Sequence, residues 1–120
     1  MKNSIVLEKS FEFAVRCVNL YKHLCDEHKE YVMSKQVYRA GTSIGANIKE
    51  ALQGQSKADF TSKMSISLKE VSETEYWLEL LARTDYLTES EYVSIRKDCS
   101  EIAKMLTAIV KTSRQDLKKV

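Results

Sequence analysis

The sequence contains no proline and only three glycines among its 120 residues. Sheet proteins and dinucleotide-binding α/β folds use both residues heavily in turns and tight βα loops. Their scarcity therefore excludes those classes and points to long helices joined by short loops. Cysteine is sparse as well. Cys17, Cys25 and Cys99 are odd in number and far apart; with all three expected on apolar helix faces, they suit free thiols in a reducing cytoplasm better than a disulfide framework. No stretch approaches the ~18 apolar residues of a membrane span. The N-terminal MKNSIVLEKSFEF reaches Glu8 and Lys9 after three apolar residues, which is too short for a signal-peptide core. The chain is expected in the cytoplasm, with no membrane partner. Neither sign of charge dominates: 19 basic against 17 acidic side chains leave +2, too near neutral to argue for nucleic acid by itself.

Chemistry-bearing motifs are missing too. Neither His23 nor His28 has a glutamate three residues before it, as a di-iron bundle requires. Cys25 and His28 have a metal-like spacing, but one pair is too few ligands for zinc, and a core thiol beside an exposed histidine is the plainer reading. The stretch from Ala40 to Asn47 carries Gly41 and Gly45 without the Gly-Lys-Ser/Thr ending of a phosphate loop, and it lies within a helical pattern. Small residues that let another helix approach closely explain it better. No nucleophile elbow is present. No catalytic activity, cofactor or metal is expected.

What is present is helical periodicity, and it predicts an all-α, antiparallel up-and-down four-helix bundle forming one domain over residues 1–120. The first helix is expected over about 4–27. Its stripe is Leu7, Phe11, Ala14, Val18, Tyr21 and Cys25, widened by Val6, Phe13, Leu20 and Leu24 to nearly half the circumference. The second is expected over about 34–54, capped by Ser34, with Val37, Gly41, Ile44, Ile48, Ala51 and Leu52 inward and Gly54 as a left-handed stop. The third, over about 57–83, opens at Ser56 and Asp59 and buries Phe60, Met64, Leu68, Val71, Leu78 and Ala82. The fourth, over about 88–116, opens with a Thr88–Glu91 capping box. Its core stripe is Tyr92, Ile95, Cys99, Ile102, Leu106 and Ile109, with Leu117 as a candidate extension.

Two surfaces exceed what a plain bundle needs. Ile66, Trp77 and Leu80 lie about 140° around the third helix from its core stripe. A second apolar stripe with tryptophan points to another subunit or a partner; the other reading is a wide core face with tryptophan at its margin. On the fourth helix Lys97, Lys104, Lys111 and Lys118 recur every seventh residue, flanked by Arg96 and Arg114. No acidic residue of that helix shares their arc, and the ribbon is about 30 Å long by helix rise. Lys35, Arg39 and Lys49 share an arc of the second helix. Such ribbons can neutralise a phosphate backbone, or they can be no more than a solvated face.

The run Tyr38-Arg39-Ala40-Gly41-Thr42-Ser43-Ile44-Gly45-Ala46-Asn47-Ile48-Lys49-Glu50-Ala51, followed by Ser56-Lys57-Ala58-Asp59-Phe60, resembles the signature of the four-helix-bundle proteins related to the 23S rRNA intervening-sequence protein. So does the run from Ser67 to Leu81 (SLKEVSETEYWLELL), closed by Asp85-Tyr86-Leu87. The resemblance covers essentially the whole chain. It implies a bundle that assembles with itself into rings, pentamers among them. Relatives include the accessory protein of diversity-generating retroelements, which binds nucleic acid and a reverse transcriptase. The resemblance touches Arg39, Ser43, Asn47 and Glu50, of which the last three share one polar flank of the second helix. A hydrogen-bonded seam against a neighbouring helix or subunit is the favoured reading of that flank, and RNA contact is the other. The function expected is a non-catalytic, oligomeric binding module that contacts RNA or DNA backbone. The alternative is a protein-binding scaffold with no nucleic-acid role.

Overall fold

The computed structural model describes residues 2–119, with side chains from residue 5 onward, so residues 1 and 120 of the expected domain lie outside the described residues. Four helices follow one another: α1 (Lys2–His28), α2 (Met33–Leu52), α3 (Lys57–Arg83) and α4 (Glu89–Lys118). The loops between them are too short to cross the bundle, so each helix runs back along its predecessor. Neighbours around the bundle are α1–α2, α2–α3, α3–α4 and, most sparsely, α4–α1. The rod that results measures 52 × 22 × 21 Å.

The core of α4 forms on the expected stripe. Ile95, Cys99, Ile102 and Leu106 are buried and Val110 and Ser113 continue the line, with Tyr92 and Ile109 at its margins. α3 buries Met64, Val71, Leu78 and Leu81 while Phe60, Leu68 and Ala82 pack at the edge, and the polar Ser67 and Thr74 complete its inner face. Their hydroxyls are satisfied by the Ile44 carbonyl across on α2 at 2.8 Å and the Glu70 carbonyl at 2.7 Å.

On α1 the residues that widen the expected face, and not its leading stripe, form the core. The inward stripe is Val6, Ser10, Phe13, Cys17 and Leu24, while Phe11 stands 68% exposed. The two candidate stripes are one residue out of step and share one spacing, so periodicity cannot choose between them. What chooses is α2. A Cβ on Gly41 would come within 2.4 Å of Cys17 Sγ, and one on Gly45 within 3.2 Å of Ser10 Oγ. The two glycines let α1 settle against α2 on that face, in line with the small-residue reading of this stretch. On α2 itself Leu52 lies outside the core.

Two helix ends also differ. Ser34 is the second residue of α2, not its cap, and its hydroxyl donates back to the Glu30 carbonyl at 2.7 Å. The cap is the Glu30 carboxylate, which accepts the backbone N–H of Val32, Met33 and Ser34 at 3.1, 3.0 and 2.7 Å. One ionised group satisfies three orphan donors at the positive end of the helix. Gly54 is not left-handed; no glycine has a positive φ. A Cβ there would meet the Ala51 carbonyl at 3.0 Å and the movable Asp59 carboxylate at 2.7 Å. The left-handed stops are Lys29 (φ 53°) and Asp85 (φ 69°). The next N–H after each returns to an earlier carbonyl, Glu30 to Leu24 at 3.1 Å and Tyr86 to Leu81 at 2.9 Å. The Ser56 cap of α3 and the Thr88–Glu91 capping box of α4 form as expected.

Candidate nucleic-acid interface

The outer side of α4 keeps lysine because its inner side is fully committed to the core, and residues seven apart return to one side of a helix with only a slow drift. Lys97, Lys104, Lys111 and Lys118 are all exposed, and among the described residues none has a carboxylate within 4 Å. Three acidic residues of α4 pair with other helices, Asp98 with Arg16 at 2.8 Å, Glu101 with Lys9 at 3.9 Å and Asp116 with Lys57 at 3.7 Å.

The flanking arginines behave differently from the lysines. Arg96 donates to Glu75 of α3 at 3.1 Å and to the Tyr92 hydroxyl at 2.8 Å. Arg114 reaches Ser65 Oγ at 3.4 Å. Between Arg114 and the lysines Lys111 and Lys118 runs a groove of about 340 Å³ floored by Leu68 and Val110. The ribbon is thus four free lysines with two arginines folded against α3.

The basic residues of α2 do not join this surface. α2 and α4 sit diagonally across the bundle, with no backbone approach within 8 Å. Arg39 is held by Glu73 and, at 3.5 Å, by Glu70 of α3. Burial pushes the Glu70 carboxyl up, the neighbouring Glu73 adds to this, and Arg39 only partly opposes it. Lys49 lines a groove between α1 and α2, and Lys35 is exposed. The polar flank of α2 faces α3, but only Glu50 crosses, to Lys63 at 3.5 Å. Ser43 donates to the Arg39 carbonyl at 2.7 Å and Asn47 to the Ser43 carbonyl at 2.8 Å, both within α2.

On α3, Trp77 and Leu80 are half-buried, with Trp77 packed at the core margin and its indole N–H donating to Glu73 at 3.1 Å. Ile66 is 39% exposed. Two things that bear on function come from the packing: the carboxylates of α3 that engage Arg39 and Arg96, and which apolar side of α1 stays open. The first has no signal within a single helix; for the second, the sequence shows both stripes without ranking them.

Cys25 and His28 each pack on other partners. Cys25 Sγ lies 3.8 Å from Ser34 Oγ, and the His28 ring packs edge-on against His23 and Tyr86. Among the described residues no three His, Cys, Asp or Glu side chains converge as metal ligands, and no helix is long and apolar enough to cross a membrane.

A family model described as 23S rRNA-intervening sequence protein matches residues 2–108. The chain belongs to that family. It is similar to the crystal structure of a protein of unknown function from the S23 ribosomal protein family of Bacteroides thetaiotaomicron, with 62% sequence identity and a TM-score of 0.91. That match covers 92% of this chain and 99% of the other. A search of curated proteins gives no match. For this member of the 23S rRNA-intervening sequence family, the match ends at residue 108, so the last turns of α4, with Lys111, Arg114 and Lys118, lie beyond it.

Proposed function

We propose that this protein is a non-catalytic, self-associating binding module whose α4 ribbon contacts the backbone of RNA or DNA. One observation carries the reading: four exposed lysines at seven-residue spacing, none with a carboxylate partner among the described residues. A line of charge left uncompensated by its own fold attracts a line of opposite charge, and the phosphate backbone is that ligand. Contacts of this kind position a chain on nucleic acid without reading bases, so binding is expected to show little sequence preference. A ring of copies, as the family resemblance implies, repeats the ribbon about an axis and adds weak contacts through multivalency.

The test is binding of duplex DNA and structured RNA at two salt concentrations, measured by fluorescence anisotropy. Changing Lys104 and Lys111 to Glu should weaken binding with particle mass unchanged. For duplex DNA it should also flatten the log–log salt slope by about 0.9 for each phosphate no longer neutralised. No binding of the wild type at ~50 mM salt, or equal binding by the double variant, makes the ribbon a solvated face. The protein-binding scaffold then becomes the reading.

A further inference from the structure

Acidic side chains are absent from two facing stretches of the bundle, residues 60–69 of α3 and 102–115 of α4. The two lie side by side in antiparallel order. Thr61 meets Ser113 at one end, and beyond the other the Cys99 thiol meets the Val71 carbonyl at 3.8 Å. Elsewhere α3 is rich in carboxylates, and Glu70, Glu73, Glu75 and Glu79 each engage an arginine. The cations at the acid-free end keep their charge. Lys111 and Lys118 have no carboxylate within 4 Å among the described residues. Arg114 reaches only a hydroxyl, Ser65 Oγ at 3.4 Å.

The groove that these three cations rim is apolar at its floor, with Leu68 from α3 and Val110 from α4. Its volume of about 340 Å³ lies at the low end of the range for small-molecule sites, so it suits one ring-sized group. A duplex has no use for such a floor. Its ring faces are covered by their stacked neighbours, and a row of lysines meets only phosphate and sugar. An unpaired nucleotide carries both parts side by side, an anionic phosphate and an open ring face. Arg114 adds a planar guanidinium at the groove edge, a shape that stacks on a base as well as holding phosphate. Lys104 and Lys97 continue the line of charge beyond the groove. A strand with a phosphate at every residue can follow that line, whereas a peptide with one apolar anchor has no need of it.

We propose that the α3–α4 groove seats an unpaired base of a single strand whose phosphates lie on the α4 lysines. This rests on the ribbon reading of the proposed function and adds a base contact that a duplex does not make. Fluorescence anisotropy of the whole protein tests it with labelled probes of about ten nucleotides. The probes are oligothymidylate, a strand of the same length made of abasic residues, and a duplex. The abasic strand keeps every phosphate and loses every ring. It should bind the wild type about tenfold more weakly than oligothymidylate, the low end of what one seated base contributes. The salt slopes of the two strands should agree, because their phosphates are the same. Leu68→Asn alters no charge; it should bring oligothymidylate down to the abasic level and leave duplex binding as in wild type. Helical circular dichroism checks that this variant folds, and the abasic comparison on the wild type needs no variant. Equal affinity of the wild type for the two strands overturns the inference. So does a folded Leu68→Asn variant that still tells them apart, or one that weakens duplex binding equally. An acidic peptide with one leucine that binds wild type but not Leu68→Asn, beside equal affinity for the two strands, assigns the groove to a protein partner instead. Duplex binding that still depends on Lys104 and Lys111 would then keep the ribbon reading, whereas failure of all three nucleic-acid probes removes both.

Discussion

Phe11 and Phe13 stand two residues apart on α1 and lead opposite lives. Phe13 is 2% exposed beside Gly41 of α2, and Phe11 is 68% exposed above the α1–α2 groove. The same residue type at neighbouring positions thus serves the monomer on one side and remains uncovered on the other. The outer side of α4 offers the same contrast in charge, with its seven-residue repeat carrying lysine where α1 carries apolar groups. Period alone says that a face exists; its chemistry says what must cover it.

The sharpest way to break the α1 comparison is truncation at both positions. Phe13→Ala should destabilise the fold by about 3–5 kcal/mol, the range for a buried aromatic removed from a packed core. Phe11→Ala should alter the stability of the folded chain by less than about 0.5 kcal/mol. Urea unfolding at low protein concentration checks both, and similar losses at the two sites would abolish the distinction between the faces.

A smaller effect is expected where α2 meets the inward seam. Gly41→Ala places a methyl 2.4 Å from Cys17 Sγ, buried sulfur with little freedom to move. Overpacking of this kind costs about 1–3 kcal/mol. Gly45→Ala, at 3.2 Å from Ser10 Oγ, should cost less. Thermal unfolding of the pair should rank them in that order. The reverse order would mean that α1 does not sit on α2 by this face.

The smallest effect is expected at the turn that hands α1 on to α2. Burial alone would raise the Glu30 carboxyl, but the N–H groups of Ser34, Met33 and Val32 outweigh it and hold the group below the ordinary glutamate range. A carboxyl depressed in the folded state stabilises the protein at all pH values above its unfolded pKa. That contribution disappears as pH falls through the depressed folded value. Glu30→Gln should therefore cost about 1 kcal/mol at neutral pH and make stability less steep below the ordinary glutamate range. An acid limb identical to wild type in a urea titration against pH would remove Glu30 as the cap.

Much of this architecture is legible in one dimension because its signals are local. Thr88 and Glu91 cap α4 through atoms three residues apart, and Ser56 does the same for α3. The α4 core reads correctly because its apolar residues form one dominant stripe. α1 reads as one broad face because it has two stripes, and a spacing rule contains nothing to rank them. Ser34 misleads as a cap for a related reason. A hydroxyl at a helix start is a good local sign, but the Glu30 carboxylate outcompetes it by folding over three N–H groups from outside the helix.

The candidate site divides in the same way. The lysine repeat of α4 is a property of the chain, since residues seven apart on one helix share a side in any fold that keeps the helix. Which charges remain available is not, because that depends on the helices packed alongside. Glu75 engages Arg96, and Glu70 and Glu73 engage Arg39, at separations of 21 to 34 residues along the chain. The diagonal placement of α2 and α4 keeps Lys35, Arg39 and Lys49 apart from the ribbon. The four helices, the caps of α3 and α4 and the core face of α4 follow from the sequence because hydrogen bonds and side-chain directions within a helix are set over a few residues. The choice between the two seams of α1, and between a free and a neutralised arginine, belongs to the tertiary structure. Both depend on which distant surface arrives, and close packing against Gly41 and Gly45 admits only one answer.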